Sequence, residues 1–279
     1  MYDWISELKP GQWVLDLASG PGSFNYSSCA GSVVALDEDR DAFQSAAPLP
    51  KGSYHRTFGR GANLPFRGGA FDLVICHHAL EHVEELESTL EEIRRVLKKD
   101  GRLFVSVPNG YGLCDAVYRA VFEGGGHVNR FRRNDLVALI ERSVDVRLAR
   151  WTKLYSSFVY LRRLMELLEA PPPDLSKRLL RIGKLPRWTI GGAQKGLYAA
   201  TRTVDRGWGT DLAVYGWAFY FDNENSRAAP VEEPAYLNVC LYCGAGQPAA
   251  EMERVSRRSY RCSACSRVTA FDTPFRGTR

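Results

Sequence analysis

The sequence predicts an α/β fold: a doubly wound, mostly parallel seven-stranded sheet, with a helical cap inserted late in the chain and a small separate C-terminal unit. Three observations predict it. Short apolar runs alternate with longer amphipathic stretches from Trp13 to Trp151, the pattern of strands joined by crossover helices. The first run, VLDLASGPGSF (14–24), ends in an acid and passes at once into two glycines, as a buried strand does when it feeds a tight loop and then a helix. Four of the seven cysteines lie in residues 236–279, as two Cys-x-x-Cys pairs.

In order along the chain, a short N-terminal helix leads to a first strand at Trp13–Asp16, and SVVAL (32–36) is a second strand that ends at Asp37. Helical sequence follows over 38–46, and Tyr54–Phe58 has the content of a third strand. The apolar run Phe71–Cys76 is the fourth. Val83–Leu97 then repeats apolar residues at 83, 86, 90, 93 and 97, with glutamates first and Arg/Lys last, an amphipathic helix whose charges match its dipole. Gly101 ends it, and Leu103–Val107 is a fifth strand stopped by Pro108. A helix at Asn134–Arg142 and a sixth strand at Val144–Trp151 follow. The aromatic and β-branched run Leu212–Phe221 is the seventh. Ligands of such sheets bind beyond the carboxyl ends of the strands, where Gly20, Asp37, His77 and Asn109 gather.

With 279 residues, 45% of them apolar, the chain can bury a large core, which excludes general disorder. MYDWISELKP has no basic stretch followed by an apolar one, so a cytoplasmic protein is expected. The net charge of +5 is unevenly placed: residues 153–206 carry 11 Lys/Arg against 4 Asp/Glu, and residues 236–279 carry 7 against 3.

The glycine loop narrows the cofactor. A dinucleotide fingerprint needs a third glycine where Asn25 stands, and a phosphate loop needs Gly-Lys-Ser/Thr, which is absent. Four stretches taken in register, LDLASGPG, ALDED, NLPFRGGAFDLVICHHALEHV and EIRRVLKKDGRLFVSVPN, resemble the class I S-adenosylmethionine-dependent methyltransferases of the type 11 group over about the first 150 residues. The resemblance implies a site for S-adenosylmethionine. Asp16, Ala18, Ser19, Gly20 and Gly22 would serve the amino-acid tail. Asp37, with Glu38 beside it, would take the ribose hydroxyls, Asn63 and Leu64 would flank adenine, and His77 would offer its carbonyl to the amino group. Arg60 stands where the family often has an acid for adenine's exocyclic amine.

Methyl transfer is an in-line displacement on an already activated carbon, so a base is needed only for a poor nucleophile. The candidates are His78, just past the fourth strand, and His127, in GGGHVNRFRRNDL; His82 is expected to cap or pack. Asn/Asp-Pro-Pro-Tyr after the fourth strand and Pro-Cys after the fifth are both missing, which leaves oxygen or nitrogen of a small molecule, sugar or lipid precursor as the acceptor.

The cap insert, 153–206, reads as helices with a basic face, able to meet an anionic substrate or a membrane surface. Polar sequence at 223–235 reads as a linker between a methyltransferase domain (1–222) and a tail (236–279). In that tail Cys240, Cys243, Cys262 and Cys265 have the spacing of a tetrahedral zinc site and resemble a zinc ribbon. The ribbon suggests a rival role, an RNA- or protein-binding or modifying protein whose methyltransferase fold does not turn over.

Overall fold

A computed structural model describes the chain save for residues 21, 25, 41–49, 51, 122–126, 156–186, 224–228, 237, 240–245, 248–252, 256–258, 262–267 and 271–279. Its centre is an eight-stranded sheet. The strands are β1 (Trp13–Leu17), β2 (Ser32–Asp37), β3 (Tyr54–Phe58), β4 (Phe71–His77), β5 (Leu97–Pro108), β6 (Arg147–Tyr155), β7 (Val214–Asp222) and β8 (Val231–Tyr236), in the order β3-β2-β1-β4-β5-β7-β6-β8. β1 to β5 are mutually parallel, and β7 alone runs antiparallel, between β5 and β6.

β1, β2 and β4 are apolar along nearly their whole length because both faces of the sheet are covered. Leu15, Leu17, Val34, Val74 and Cys76 pack on one face with Leu90, Ile93 and Val96 of α2 (Leu86–Val96) and with Leu136 and Ile140 of the Arg133–Val144 helix. Val14, Val33, Leu73 and Ile75 pack on the other face with Trp4, Ile5 and Leu8 from the N-terminal helix α1 (Tyr2–Glu7) and the residues after it. Between β5 and β6 lie α3 (Leu113–Val121), which sequence reasoning did not identify, and that Arg133–Val144 helix, α4. Helix α5 (Arg187–Trp208) precedes β7.

The sheet departs from the expected seven strands. Residues 231–235 of the expected linker, with Tyr236 of the expected tail, form β8, which pairs parallel with β6 at Arg150↔Val231 and Trp151↔Glu232. Pro234 is tolerated there because β8 is an edge strand with a partner on one side only. Of the expected cap, α5 is seen as a helix, while residues 156–186 and most of the helix expected at 38–46 lie outside the described residues. Among the described residues no helix is long and apolar enough to cross a membrane.

In the tail, β9 (Asn238–Val239) pairs antiparallel with β10 (Gly246–Gln247). A second small sheet joins β11 (Glu253–Arg254), β12 (Ser259–Arg261) and β13 (Val268–Ala270). Cys240, Cys243, Cys262 and Cys265 themselves lie outside the described residues.

Candidate active site

The loop after β1 is shaped by three left-handed or otherwise positive φ values: Ala18 at 52°, Gly20 at 51° and Gly22 at 117°. Ser19 N–H donates to the Leu36 carbonyl (3.0 Å), and Gly22 N–H returns to the Ser19 carbonyl (2.8 Å), so the chain folds tightly over the ends of β1 and β2. Asp16 sits beneath with no solvent exposure. Its carboxylate accepts from Ser23 N–H (2.9 Å), the Ser23 hydroxyl (2.6 Å) and the Tyr26 hydroxyl (2.6 Å). Burial pushes its pKa up to about 6 against the pull of those bonds. Asp16 is therefore engaged by the chain's own donors and braces the loop from below.

Asp37 ends β2 next to that loop. Oδ2 accepts from Gly20 N–H (2.8 Å) and Oδ1 from Asp39 N–H (2.9 Å), which fixes the carboxylate at the wall of a cavity of about 310 Å³. Three segments line it. Leu17, Ala18, Leu36, Asp37 and Glu38 form one side, Gly59–Ala62 the second, and His78, Ala79 and the 82–85 turn the third, with Thr89 of α2.

The rim is acidic. Exposed Arg60 donates to Glu38 (3.1 Å) and lies 3.6 Å from Glu84 and 3.8 Å from Glu85, so one guanidinium bridges carboxylates from two sides of the mouth.

Of the residues singled out from the sequence, Ala18, Asp37, Glu38 and His78 line the cavity. Ser19, Gly20 and Gly22 are not in its lining; they build the loop that holds Asp37 at the wall, through Gly20 N–H. Asn63 is exposed and Leu64 is buried, and the wall there is made by Gly59–Ala62 in their place. The physical reason is a clamp: Leu64 N–H donates to Glu92 (2.7 Å), while the Arg95 guanidinium holds the carbonyls of Leu64 (2.8 Å) and Phe66 (2.6 Å), drawing this segment onto α2 and Leu64 into the core. His77 is buried at the end of β4 with Nδ1 2.6 Å from the Ser106 hydroxyl.

The two candidate bases part company. His78, at φ 50°, points Nδ1 at Glu81 (3.1 Å). His127 lies behind His82, their rings edge-on at 4.9 Å, and its Nδ1 is 3.1 Å from Asp115. Asp115 is buried and also takes Arg119 Nε at 2.6 Å. Burial raises the Asp115 pKa, but the His127 and Arg119 hydrogen bonds outweigh it and hold the carboxyl below its usual range. Sequence reasoning missed Glu81, Asp115 and Arg119. The Asp115–Arg119 spacing of four on an amphipathic helix was the one signal available.

Comparison with known proteins finds similarity to methyltransferases. Residues 15–105 match the family model described as a methyltransferase domain. The uncharacterized methyltransferase YcgJ of Bacillus subtilis is 29% identical over 133 residues, 46% of this chain and 51% of the relative. A demethylmenaquinone methyltransferase of Paenarthrobacter aurescens is 36% identical over 107 residues, 36% of this chain and 40% of the relative. The chain thus spans about half or less of the length of these curated relatives. A solved chain from Galdieria sulphuraria, 13% identical, superposes with a TM-score of 0.52 over 79% of this chain and 84% of that one, which speaks to the fold alone. The likeness to methyltransferases thus rests on residues 15–105, and the fold around them is Rossmann-like α/β with one large mixed sheet.

Proposed function

We propose that this chain transfers a methyl group from S-adenosylmethionine to oxygen or nitrogen of a small molecule, sugar or lipid precursor. The observation that carries the reading is the Asp37 carboxylate, held at the cavity wall by Gly20 N–H, directly beside a loop of positive-φ residues. The donor set fits the cofactor. A carboxylate suits a ribose diol, and a mouth carrying Glu38, Glu84 and Glu85 around one arginine is net negative, as a sulfonium cation requires.

When bound, S-adenosylmethionine supplies a methyl group made electrophilic by its positive sulfur. The protein's part is alignment and exclusion of water. Asp16 keeps the loop rigid through Ser23 and Tyr26, and Asp37 would orient the ribose. His78, in the cavity wall, would take a proton from the acceptor through Nε2, which is buried in this structure and would have to be uncovered, while Glu81 holds Nδ1. The residues would hold the acceptor in line with the methyl carbon, whose bond to sulfur would break with its electron pair left on a neutral thioether, and the acceptor's proton would pass to His78 or solvent.

The division into a catalytic domain whose sheet runs on through β8, in place of the expected boundary at 222, and a C-terminal zinc ribbon after it is part of this proposal. Residues 240–245, with Cys240 and Cys243, connect the paired strands β9 and β10; residues 262–267, with Cys262 and Cys265, connect β12 and β13. Each cysteine pair thus falls on the connection of an antiparallel strand pair, which supports a four-thiolate zinc site. A ribbon of this kind would stabilise the tail and could serve as a protein dock, and the basic insert would favour an anionic acceptor or membrane surface.

Isothermal titration calorimetry with S-adenosylmethionine tests the central claim. One-site binding is expected; absence of binding by the full chain would overturn it.

A further inference from the structure

We propose that Glu81, His82 and His127 form a divalent-cation site beside the cofactor cavity, distinct from the cysteine quartet. One ligand atom from each residue lies within 4.8 Å of the others. An ion with nitrogen and oxygen ligands at about 2.1 Å holds them roughly 3 to 3.5 Å apart, so closing on a cation needs side-chain shifts of about an ångström.

The independent observation is Glu81. Its side chain is 1% exposed, Oε1 takes His78 Nδ1 at 3.1 Å, and Oε2 is buried without a hydrogen-bond partner. A buried carboxylate oxygen left this way is costly, and a cation facing it removes the cost.

The surroundings are built to hold the ligands in place. Asp115 accepts from His127 at 3.1 Å and is itself fixed by Arg119 at 2.6 Å; this commits Nδ1 and makes Nε2 the ligating nitrogen. A carboxylate behind a histidine is the usual outer support of a metal-bound imidazole. The segment carrying His127 is pinned to the Glu81 turn by backbone: Val128 N–H and Asn129 N–H both donate to the Glu81 carbonyl (2.9 and 3.0 Å), and the Asn129 amide donates to the carbonyls of Leu80 and Val83. Residues 46 positions apart in sequence are thereby locked into one cluster.

Two imidazoles and one carboxylate select zinc or a neighbouring first-row divalent ion over magnesium or calcium, and leave coordination positions open. His82 belongs to the cavity wall, so the open side adjoins the space assigned to the cofactor. There the ion would hold an acceptor oxygen; that last role rests on the methyltransferase reading, whereas binding of the ion does not. His127 then acts as a ligand, and the role of base falls to His78 or solvent.

The test is zinc content. The full chain is stripped with chelator, dialysed against zinc, and zinc per chain is measured by atomic emission, with far-ultraviolet circular dichroism confirming the fold. Glu81→Gln, isosteric with the native side chain, and His127→Ala are each expected to hold one equivalent fewer than the wild type, and that loss should add to any loss in Cys240→Ser. Asp115→Asn, which removes a positioning residue, should weaken zinc binding about 10- to 100-fold. Equal zinc in the wild type and in folded His127→Ala would overturn the site and leave a hydrogen-bonded packing cluster. The outcome is independent of S-adenosylmethionine binding, so the two proposals fail separately.

Discussion

Replacing Asp37 with asparagine separates a ribose-binding carboxylate from a loop anchor. In the protein the carboxylate accepts from Gly20 N–H at 2.8 Å and Asp39 N–H at 2.9 Å, one bond on each oxygen, which leaves the second lone pair of each oxygen for a ligand diol. Hydrogen bonds to a charged group contribute about 1.5 to 3 kcal/mol each, so two hydroxyls bring roughly 3 to 6 kcal/mol. Asparagine keeps one neutral acceptor, worth about 1 kcal/mol, and must share it with a loop N–H. The expected loss is about 2 to 4 kcal/mol, or roughly 30- to 1000-fold in affinity. Calorimetric titration with S-adenosylhomocysteine, which cannot react, reads it directly. The same titration with the 2′-deoxy analogue completes a cycle. The wild type should discriminate against the analogue by about tenfold or more, and Asp37→Asn by much less. A change below about threefold on substitution, or equal discrimination by both proteins, would refute ribose recognition and leave Asp37 as the anchor of Gly20.

Asp16 makes a pH-dependent contribution of unusual sign. Because its folded pKa is raised to about 6 from 3.8, the folded state binds the extra proton between those values, and stability falls as pH rises from about 4 to 6 and is level above that. Urea unfolding should show the wild type losing about 3 kcal/mol relative to Asp16→Asn over that window; curves that keep a constant separation would contradict it. For the tail, chelation or Cys240→Ser with Cys243→Ser should make residues 236–279 sensitive to protease while S-adenosylmethionine affinity changes less than twofold. Tail resistance unaltered by chelator would count against a zinc-stabilised ribbon.

The strands that carry the site were legible because they are buried on both faces. VVAL and LVIC read as continuous apolar runs, and only a covered parallel sheet makes such runs stable. β8 was not legible. VEEPAY has two acids and a proline, as a linker has, and it becomes a strand only because β6 offers a free edge that tolerates proline. The direction of β7 was equally hidden, since periodicity reports which faces are buried and says nothing of which way the strand runs.

The site was legible where a backbone rule fixed it and obscure where tertiary contacts did. Gly20, Gly22 and Asp37 follow from the strand-and-tight-loop grammar; the structure gives both glycines positive φ and sets Asp37 at the cavity wall, while the helix expected after the loop is only a 3-10 turn at Tyr26–Ser28. Leu64 reads as a cavity residue, yet its fate is decided by Glu92 and Arg95, some thirty positions away, whose hold on its peptide groups no local pattern announces. Glu81 is the sharper case. Beside His82 at the start of a Glu-rich stretch it looks like one more solvated acid. It is buried in the folded chain, and Val128 and Asn129 N–H return to its own carbonyl, a contact that also delivers His127. That fold-back supplies a second imidazole near the buried carboxylate, and Asp115 arrives from α3 to steady that ring. A charge that loses its solvent at the place where two histidines converge is more economically explained by a cation than by packing alone, because packing would be served equally by an uncharged side chain of the same shape.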